Sequence, residues 1–295
     1  MTPTFKQLKY FAALAHHRHF GRAADECAIS QPALSLQIQE LEKALGASLV
    51  ERGRHMVTLT PLGQDVEARA RTILANVRDL VDLAQHHNGL LTGALRLGVI
   101  PSLAPYILPR ALPLLRRDYP ALVLHLREAQ TRYLTDELLA GQLDAVLLSR
   151  PLADDRVEIK DLFDDRLLLV TAPDGGEDKP AQLSDIKADS LLLLDEGHCL
   201  RDQALAYCGA DDVSRPRPGV ASLATIIHMV ANGYGSTLLP EIALDTELRG
   251  KPPVRVRSFV NPQPSRQVAL AWRATSPRRG DFLSLADSLV KAMKR

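Results

Sequence analysis

The spacing of apolar residues predicts three short helices at the start of the chain. Apolar positions recur every three or four residues over the segment 5–14, and a second short helix fits residues 21–26. A third helix is predicted to begin after Ser30, a good N-cap, with Pro32 in its first turn, and to stop at Gly46. Its predicted buried face consists of Leu34, Ile38, Leu41 and Leu45.

The opposite face of the third helix is mostly polar. Two short helices with a tight turn, the second with small polar residues at its start, are typical of a helix-turn-helix that enters the major groove. The segment 48–60 fits a hairpin wing, in which Arg52 and Arg54 would reach phosphates or the minor groove. A small helical packing domain with a solvated polar face is the alternative. The residues of the candidate DNA-reading face are Gln31, Pro32, Ser35, Leu36 and Gln39.

Residues 62–87 show apolar positions that alternate steps of four and three. This heptad pattern covers about three heptads, which is long enough to pair two chains. A single helix packed on its own domain is the alternative, but a dimer reads two half-sites, so DNA binding favours the coiled coil. The positions of the seam are Val66, Ala70, Ile73, Val77, Leu80 and Ala84.

Beyond Asn88-Gly89 short β-rich runs alternate with helical segments. The predicted strands span residues 95–100, 123–127, 145–148, 167–171 and 190–194, with helices over 106–118 and 135–140. This alternation predicts an α/β fold with parallel sheets, in which ligands bind beyond the carboxyl ends of the strands. Ser102, Thr131 and His198-Cys199 follow such ends. Either hydroxyl, taken alone, also fits a purely structural role.

Two cysteines, Cys199 and Cys208, lie nine positions apart in a segment of helix-favouring residues. In a helix, nine residues give about 900° of rotation and a rise of about 13.5 Å, which places the sulfurs on opposite faces. A disulfide needs α-carbons within about 7 Å, so joining the pair would require the segment to refold. Two unconnected core cysteines are the alternative.

The surroundings of the two thiols differ. A thiol at a helix start, beside His198 or Arg201, is expected to favour the thiolate, which attacks a peroxide O–O bond and becomes a sulfenic acid. Cys199 fits this attacking role, and Cys208 fits a resolving thiol in a more apolar setting.

Composition narrows the class of protein. With 295 residues, 46% of them hydrophobic, the chain can form two or more domains. No uninterrupted apolar stretch of about 18 residues occurs, and the first twenty residues do not fit a secretory signal, so we expect a cytoplasmic protein without a membrane partner. Three cysteines without CxxC spacing make a metal site the weaker expectation. A net charge of +1 argues neither for nor against DNA.

Several motifs together resemble the LysR-type transcriptional regulators. They are Phe20-Gly21-Arg22-Ala23-Ala24, Ile29-Ser30-Gln31-Pro32-Ala33-Leu34-Ser35, Leu41-Glu42, Leu45-Gly46, Leu49 and Thr58-Leu59-Thr60-Pro61-Leu62-Gly63. Leu36 departs from this pattern, since the family often has a basic residue there.

The resemblance implies an all-α winged helix-turn-helix with a long linker helix, followed by an α/β two-subdomain sensor domain like the periplasmic binding proteins. The implied domains are residues 1–60 for DNA binding, 61–89 for the dimerising helix and 90–295 for the sensor, with subdomain I over 90–163 and 266–295 and subdomain II over 164–265.

The segment from Gly197 to Ala204, closing on Cys208, is similar to the redox loop of the peroxide-sensing members of this family. The blocks 98–101, 128–131 and 235–240 agree with that resemblance. It implies that Cys199 is the peroxidatic thiol, that Cys208 resolves it, and that a Cys199–Cys208 disulfide forms on oxidation.

The same resemblance implies the roles of the surrounding side chains. Thr131 would bind the peroxide, and His198 with Arg266 would polarise or stabilise the thiolate. Ser102 stands where the family typically has Thr, and with Thr131 it could orient the peroxide for attack by Cys199.

We therefore expect a hydrogen-peroxide-sensing transcription regulator of oxidative-stress genes rather than an enzyme. Its expected partners are double-stranded operator DNA, hydrogen peroxide, further copies of the chain in a homodimer or homotetramer, RNA polymerase, and a glutaredoxin or thioredoxin-like reductant. No cofactor is expected. One alternative is a LysR-type regulator gated by a small organic metabolite, with inert cysteines. The other, a thiol peroxidase, is disfavoured by the winged domain and the heptad seam.

Overall fold

The computed structural model describes residues 2–52, 57–85, 89–174, 179–186, 190–208, 220–250 and 253–294. The chain forms two compact units. The first comprises Met1–His87 with Leu139–Gln142, and the second comprises Asn88–Leu138 with Leu143–Arg295. Among the described residues, no helix is long and apolar enough to span a membrane.

The first unit is a helix-turn-helix followed by a small hairpin and a long helix. Its elements are α1 (Phe5–His17), α2 (Phe20–Glu26), α3 (Gln31–Leu45), β1 (Val50–Arg52), β2 (Val57–Leu59) and α4 (Pro61–Gln85). β1 and β2 pair antiparallel, which confirms the predicted wing. The Ser30 hydroxyl caps α3 by accepting from the Ala33 N–H at 3.4 Å, and Gly46 ends it at φ 68°. Both predicted ends of the third helix are confirmed.

The core of the first unit fixes α3 against α1 and α2. Leu34, Ile38 and Leu41 are fully buried against Phe11 and Leu14 of α1. Burying a side chain of this size contributes about 1.5–3 kcal/mol. Leu45, the fourth residue of the predicted buried face, is 40% exposed, because it lies in the last turn of α3, where the helix leaves the core.

The long helix α4 keeps much of its predicted seam uncovered in the single chain. Ala70 is buried, whereas Ile73, Val77 and Leu80 are 45%, 36% and 65% exposed. An apolar stripe left open on a helix of this length fits the predicted pairing of two chains. That pairing remains a proposal.

The second unit is built on a mixed sheet with helices. Its elements are β3 (Gly93–Val99), α5 (Ala104–Asp118), β4 (Leu122–Glu128), α6 (Thr131–Leu139), β5 (Ala145–Ser149), β6 (Val157–Thr171), α7 (Cys199–Cys208), α8 (Leu223–Ala231), β7 (Thr237–Pro240), α9 (Leu244–Glu247), β8 (Arg255–Arg257), β9 (Ser265–Arg273) and α10 (Arg279–Met293). The strand order is β4-β3-β5-β9-β6-β7, and β8 also pairs with β6.

The sheet corrects two expectations. Among the strands of the described residues, only the β3–β4 and β3–β5 pairs are parallel, because β9 returns from late in the chain and inserts antiparallel between β5 and β6. The predicted strand over 190–194 is wrong. Within the described part of the chain it makes two isolated bridges, Leu191 with Ser236 and Leu194 with Val220, because its partners there lie in two different segments.

Candidate functional site

Four predicted site residues come from separate elements of the second unit. Ser102 lies between β3 and α5, Thr131 is the first residue of α6, Cys199 is the first residue of α7, and Arg266 lies in β9. The two hydroxyls and the guanidinium all lie close enough to the Cys199 thiol to lower its pKa. The structure therefore brings these four residues together.

Arg266 is the centre of the site's polar contacts. Its side chain is completely buried, and its Nη1 and Nη2 donate to the hydroxyl and the carbonyl of Ser102 at 2.9 and 3.0 Å. Because the Ser102 oxygen accepts from Arg266, its own hydrogen is available to donate to the thiolate. The guanidinium thus both fixes the hydroxyl and supplies a positive charge.

Asp165 is the counter-charge of Arg266, and the sequence analysis missed it. The Asp165 Oδ2 accepts from Arg266 Nε at 2.9 Å with both side chains fully buried, and its Oδ1 accepts from the Ile242 N–H at 3.1 Å. Burial raises the pKa of Asp165 more than Arg266 lowers it. The only signal in the sequence is a carboxylate at the edge of the apolar run 167–170.

The thiol of Cys199 departs from the expected electrostatics. Burial raises the pKa of Cys199, and this effect outweighs the lowering by Arg266, Thr131 and Ser102. This direction differs from that of the readily formed thiolate expected from the helix start and from His198 and Arg201. The physical reason is that partial removal of the sulfur from water disfavours its charged form.

Thr131 presents an available hydroxyl to this pocket. Its Oγ1 is buried and has no partner within hydrogen-bonding geometry in the described part of the chain. It lies near enough to the Cys199 sulfur to lower the pKa of that thiol. A buried hydroxyl usually has a partner, so this oxygen can still bind a small polar molecule beside the sulfur.

His198 lies on the loop that enters α7. It is half-buried, and burial lowers its pKa, so the imidazole is mainly neutral at pH 7. A neutral imidazole can still donate or accept a hydrogen bond, and the role of His198 beside the thiolate stays a prediction.

The loop before α7 is fixed by a close backbone approach. Gly197 has φ 87°, and a Cβ there would lie 2.5 Å from Gln130 Oε1. The Gln130 Nε2 donates to the Glu196 carbonyl at 3.0 Å. A side chain at position 197 would be strained in this conformation and would displace Gln130.

Cys208 occupies the far end of α7. The segment from Cys199 to Cys208 is helical throughout, as predicted, and both thiols are free. Helical geometry places their α-carbons about 13.5 Å apart. Cys208 is half-buried, which raises its pKa, and the neighbouring Tyr207 ring packs edge-on against Phe259 at 5.3 Å. The sulfurs cannot bond while α7 is intact.

The predicted DNA-reading face lies on α3 in the first unit. Gln31, Pro32 and Gln39 are exposed and Ser35 is partly exposed, so all four are available to DNA. Leu36 is 54% exposed on the same helix. Arg52 belongs to β1, but its side chain lies outside the described residues, as does the whole of Arg54.

This combination of a winged helix-turn-helix and a two-lobed α/β unit defines a class, and the chain belongs to the LysR family of bacterial regulators. Residues 5–64 match the bacterial regulatory helix-turn-helix protein model of the lysR family, and residues 88–294 match the LysR substrate binding domain. The first unit is therefore a DNA-binding domain, and the second has the periplasmic-binding-protein-like fold.

Within that family the chain is similar to hydrogen peroxide-inducible genes activators. It is 42% identical to a probable activator of this name from Streptomyces viridosporus, over 99% of this chain and 95% of that protein. It is 39% identical to the dual regulator OxyR of Escherichia coli K12, over 98% and 95%. A full-length OxyR variant from Pseudomonas aeruginosa has a TM-score of 0.76 at 37% identity, covering 98% of both chains.

Proposed function

We propose that this protein is a transcription regulator that senses hydrogen peroxide through Cys199 and stores the signal as a Cys199–Cys208 disulfide. The observation that carries the proposal is the convergence of Ser102, Thr131 and Arg266 on one partly buried thiol. The names of the relatives, peroxide-inducible activators and OxyR, support the same oxidant.

In the first step the Cys199 thiolate attacks one oxygen of hydrogen peroxide. The sulfur–oxygen bond forms as the O–O bond breaks, giving a sulfenic acid and hydroxide, which takes up a proton and leaves as water. Thr131 and Ser102 orient the peroxide in line with the sulfur, and Arg266 offsets the negative charge of the thiolate and of the departing oxygen. Neutral His198 can relay the proton.

In the second step the Cys208 thiolate attacks the sulfur of the sulfenic acid. The S–S bond forms, the S–O bond breaks, and the departing hydroxide takes a proton to leave as water. Because the two α-carbons start about 13.5 Å apart in α7, this step requires the helix to unwind. The disulfide then holds the second unit in a different packing, and a glutaredoxin or thioredoxin-like dithiol reverses it by exchange.

The remaining partners follow from the DNA-binding domain. A homodimer, paired through the open stripe of α4, would read two half-sites of double-stranded operator DNA, and a tetramer would read more. A change of packing in the sensor units alters the spacing of the DNA-binding heads and so contact with RNA polymerase. The protein reacts once per reduction and is not a turnover enzyme in this proposal.

Intact-mass analysis with thiol alkylation tests the proposal. Reduced protein is treated with near-stoichiometric hydrogen peroxide, alkylated and mapped over residues 190–215. We expect rapid loss of two alkylatable thiols and recovery of Cys199 and Cys208 in one linked peptide. If both thiols stay alkylatable, the peroxide proposal fails and a metabolite bound near Ser102 and Thr131 becomes the candidate signal.

A further inference from the structure

The middle of α7 is tied to the end of strand β5 by the side chain of Gln203. Its Nε2 donates to the Ser149 hydroxyl oxygen and to the Arg150 carbonyl, both at 2.8 Å. Both hydrogens of the amide group are therefore used. The partners are 54 and 53 residues apart along the chain, so the contact joins α7 to a distant part of the same unit.

The β5 side of this contact is held by further hydrogen bonds. Ser149 is 1% exposed, and its hydroxyl donates to the Gln267 carbonyl at 3.3 Å. The Arg150 N–H donates to the same carbonyl at 2.9 Å. Gln267 directly follows Arg266 in β9, so the end of β5 that Gln203 contacts is itself bonded to the strand that carries the guanidinium of the site.

The α7 side of the contact is easier to release. The Gln203 Oε1 is buried and accepts no hydrogen bond within the described part of the chain. An unsatisfied buried oxygen offsets part of what the two donated bonds contribute. A second polar contact of α7, from Arg201 Nη1 to the Leu194 carbonyl at 3.0 Å, spans only seven residues and does not reach β5.

We propose that Gln203 is a clasp that holds α7 in its reduced form and sets the rate of disulfide formation. This inference rests on the proposed function. When Cys208 attacks the Cys199 sulfenic acid, S–S forms, S–O breaks and water leaves, but the sulfurs meet only after α7 unwinds. Gln203 lies four residues after Cys199 and five before Cys208, so that unwinding pulls its amide away from Ser149 and Arg150. Gln203 is a positioning residue, and it does not take part in the attack on peroxide.

Gln203→Met tests the clasp, because methionine has a similar length and helix propensity but cannot donate these hydrogen bonds. Reduced full-length protein is mixed with hydrogen peroxide and quenched, and mass spectrometry follows Cys199 sulfenic acid and the linked peptide separately. We expect the first step to stay within about twofold and the second to become about tenfold faster, as for the loss of one to two net hydrogen bonds.

Ser149→Ala removes half of the clasp from the other side and leaves α7 unchanged in sequence. It should accelerate the second step about threefold, and the double variant should be no faster than Gln203→Met alone, since Gln203→Met already removes the hydrogen bond to Ser149. Ser288→Ala is the matched control. Its hydroxyl donates within α10 to the Ser284 carbonyl, so both steps should keep their wild-type rates.

Amide hydrogen exchange on the reduced protein, without peroxide, tests the clasp independently of the redox chemistry. Residues 200–207 should exchange about tenfold faster in Gln203→Met, while α3 stays unchanged. Unchanged exchange in that segment would overturn the clasp even if the wild type forms its disulfide. A first step slowed tenfold would overturn it too, by making Gln203 a peroxide contact. If the wild type does not react with peroxide, the proposed function fails, and the exchange result alone decides the clasp.

Discussion

Helix α3, which is predicted to read DNA, and helix α7, which carries the two cysteines, are stabilised in different ways. In α3 a serine cap, a glycine stop and three completely buried large side chains fix the helix on its own domain. In α7 the buried residues are Leu200 and the small Ala204, and the polar contact of Gln203 with β5 adds to them. The first arrangement suits a rigid reading surface.

The second arrangement suits a segment that must change shape. α7 buries fewer large apolar side chains in its core than α3 does, and a helix with fewer such contacts opens at a lower free energy. The oxidation proposed here uses that property, because disulfide formation needs α7 to unwind. A helix can therefore form a fixed surface or a segment that changes shape, according to how its faces are buried.

Cys199→Ser should give the largest effect, and it should act on the function of α7 while leaving that of α3 unchanged. Serine cannot be oxidised by peroxide in this way, so the linked peptide should disappear and the response of DNA binding to peroxide should be lost. The affinity of the reduced protein for operator DNA should stay unchanged, because α3 is untouched. Electrophoretic mobility shifts before and after peroxide measure both. A full peroxide response of the variant would refute the sensing role.

Asp165→Asn should be the most destabilising change in the site. Removal of one partner of a buried ion pair leaves Arg266 uncompensated and costs about 3–5 kcal/mol. Urea unfolding of the second unit measures the loss. Asp245→Asn is the control, since Asp245 pairs with Arg110 on the surface and should change stability little. Equal effects of both variants would contradict the importance of burial.

The rate of Cys199 oxidation should rise steeply with pH. Because burial raises the pKa of Cys199, the thiol is mainly protonated at pH 7, and the thiolate fraction grows about tenfold per pH unit below that pKa. Quenched oxidation between pH 6 and 8 measures this slope. The α3 side chains Gln31, Ser35 and Gln39 do not titrate, so DNA affinity should depend far less on pH. A flat oxidation profile would mean that the thiolate is already formed.

Ser30→Ala should give the smallest effect, a modest loss of stability at the start of α3. Loss of the hydrogen bond from the Ala33 N–H to the Ser30 hydroxyl costs about 1 kcal/mol of stability. Thermal unfolding of the first unit measures it, with Ser48→Ala as a control outside the helix cap. The rates of both oxidation steps at Cys199 should not change, and a change in them would show that the two units are coupled in the reduced state.

Local signals in the sequence were enough to predict the helix-turn-helix and the helical state of the segment between the cysteines. A cap at Ser30, a proline at position 32 and a stop at Gly46 each act within about one turn, so the ends of α3 follow from neighbouring residues. Ser102 and Thr131 follow predicted strand ends, whereas Arg266 is implied only by the family resemblance. Their roles remain proposals.

Only the tertiary structure decided what surrounds the thiol. Asp165 pairs with Arg266 from 101 positions away, and Gln203 bonds to Ser149 from 54 positions away. The sheet that joins these segments has β9 antiparallel to both of its neighbours. No local pattern encodes such distant pairs. The direction of the Cys199 pKa follows from the same fact, because burial is a property of the whole fold and here it outweighs the charge and hydroxyls beside the sulfur.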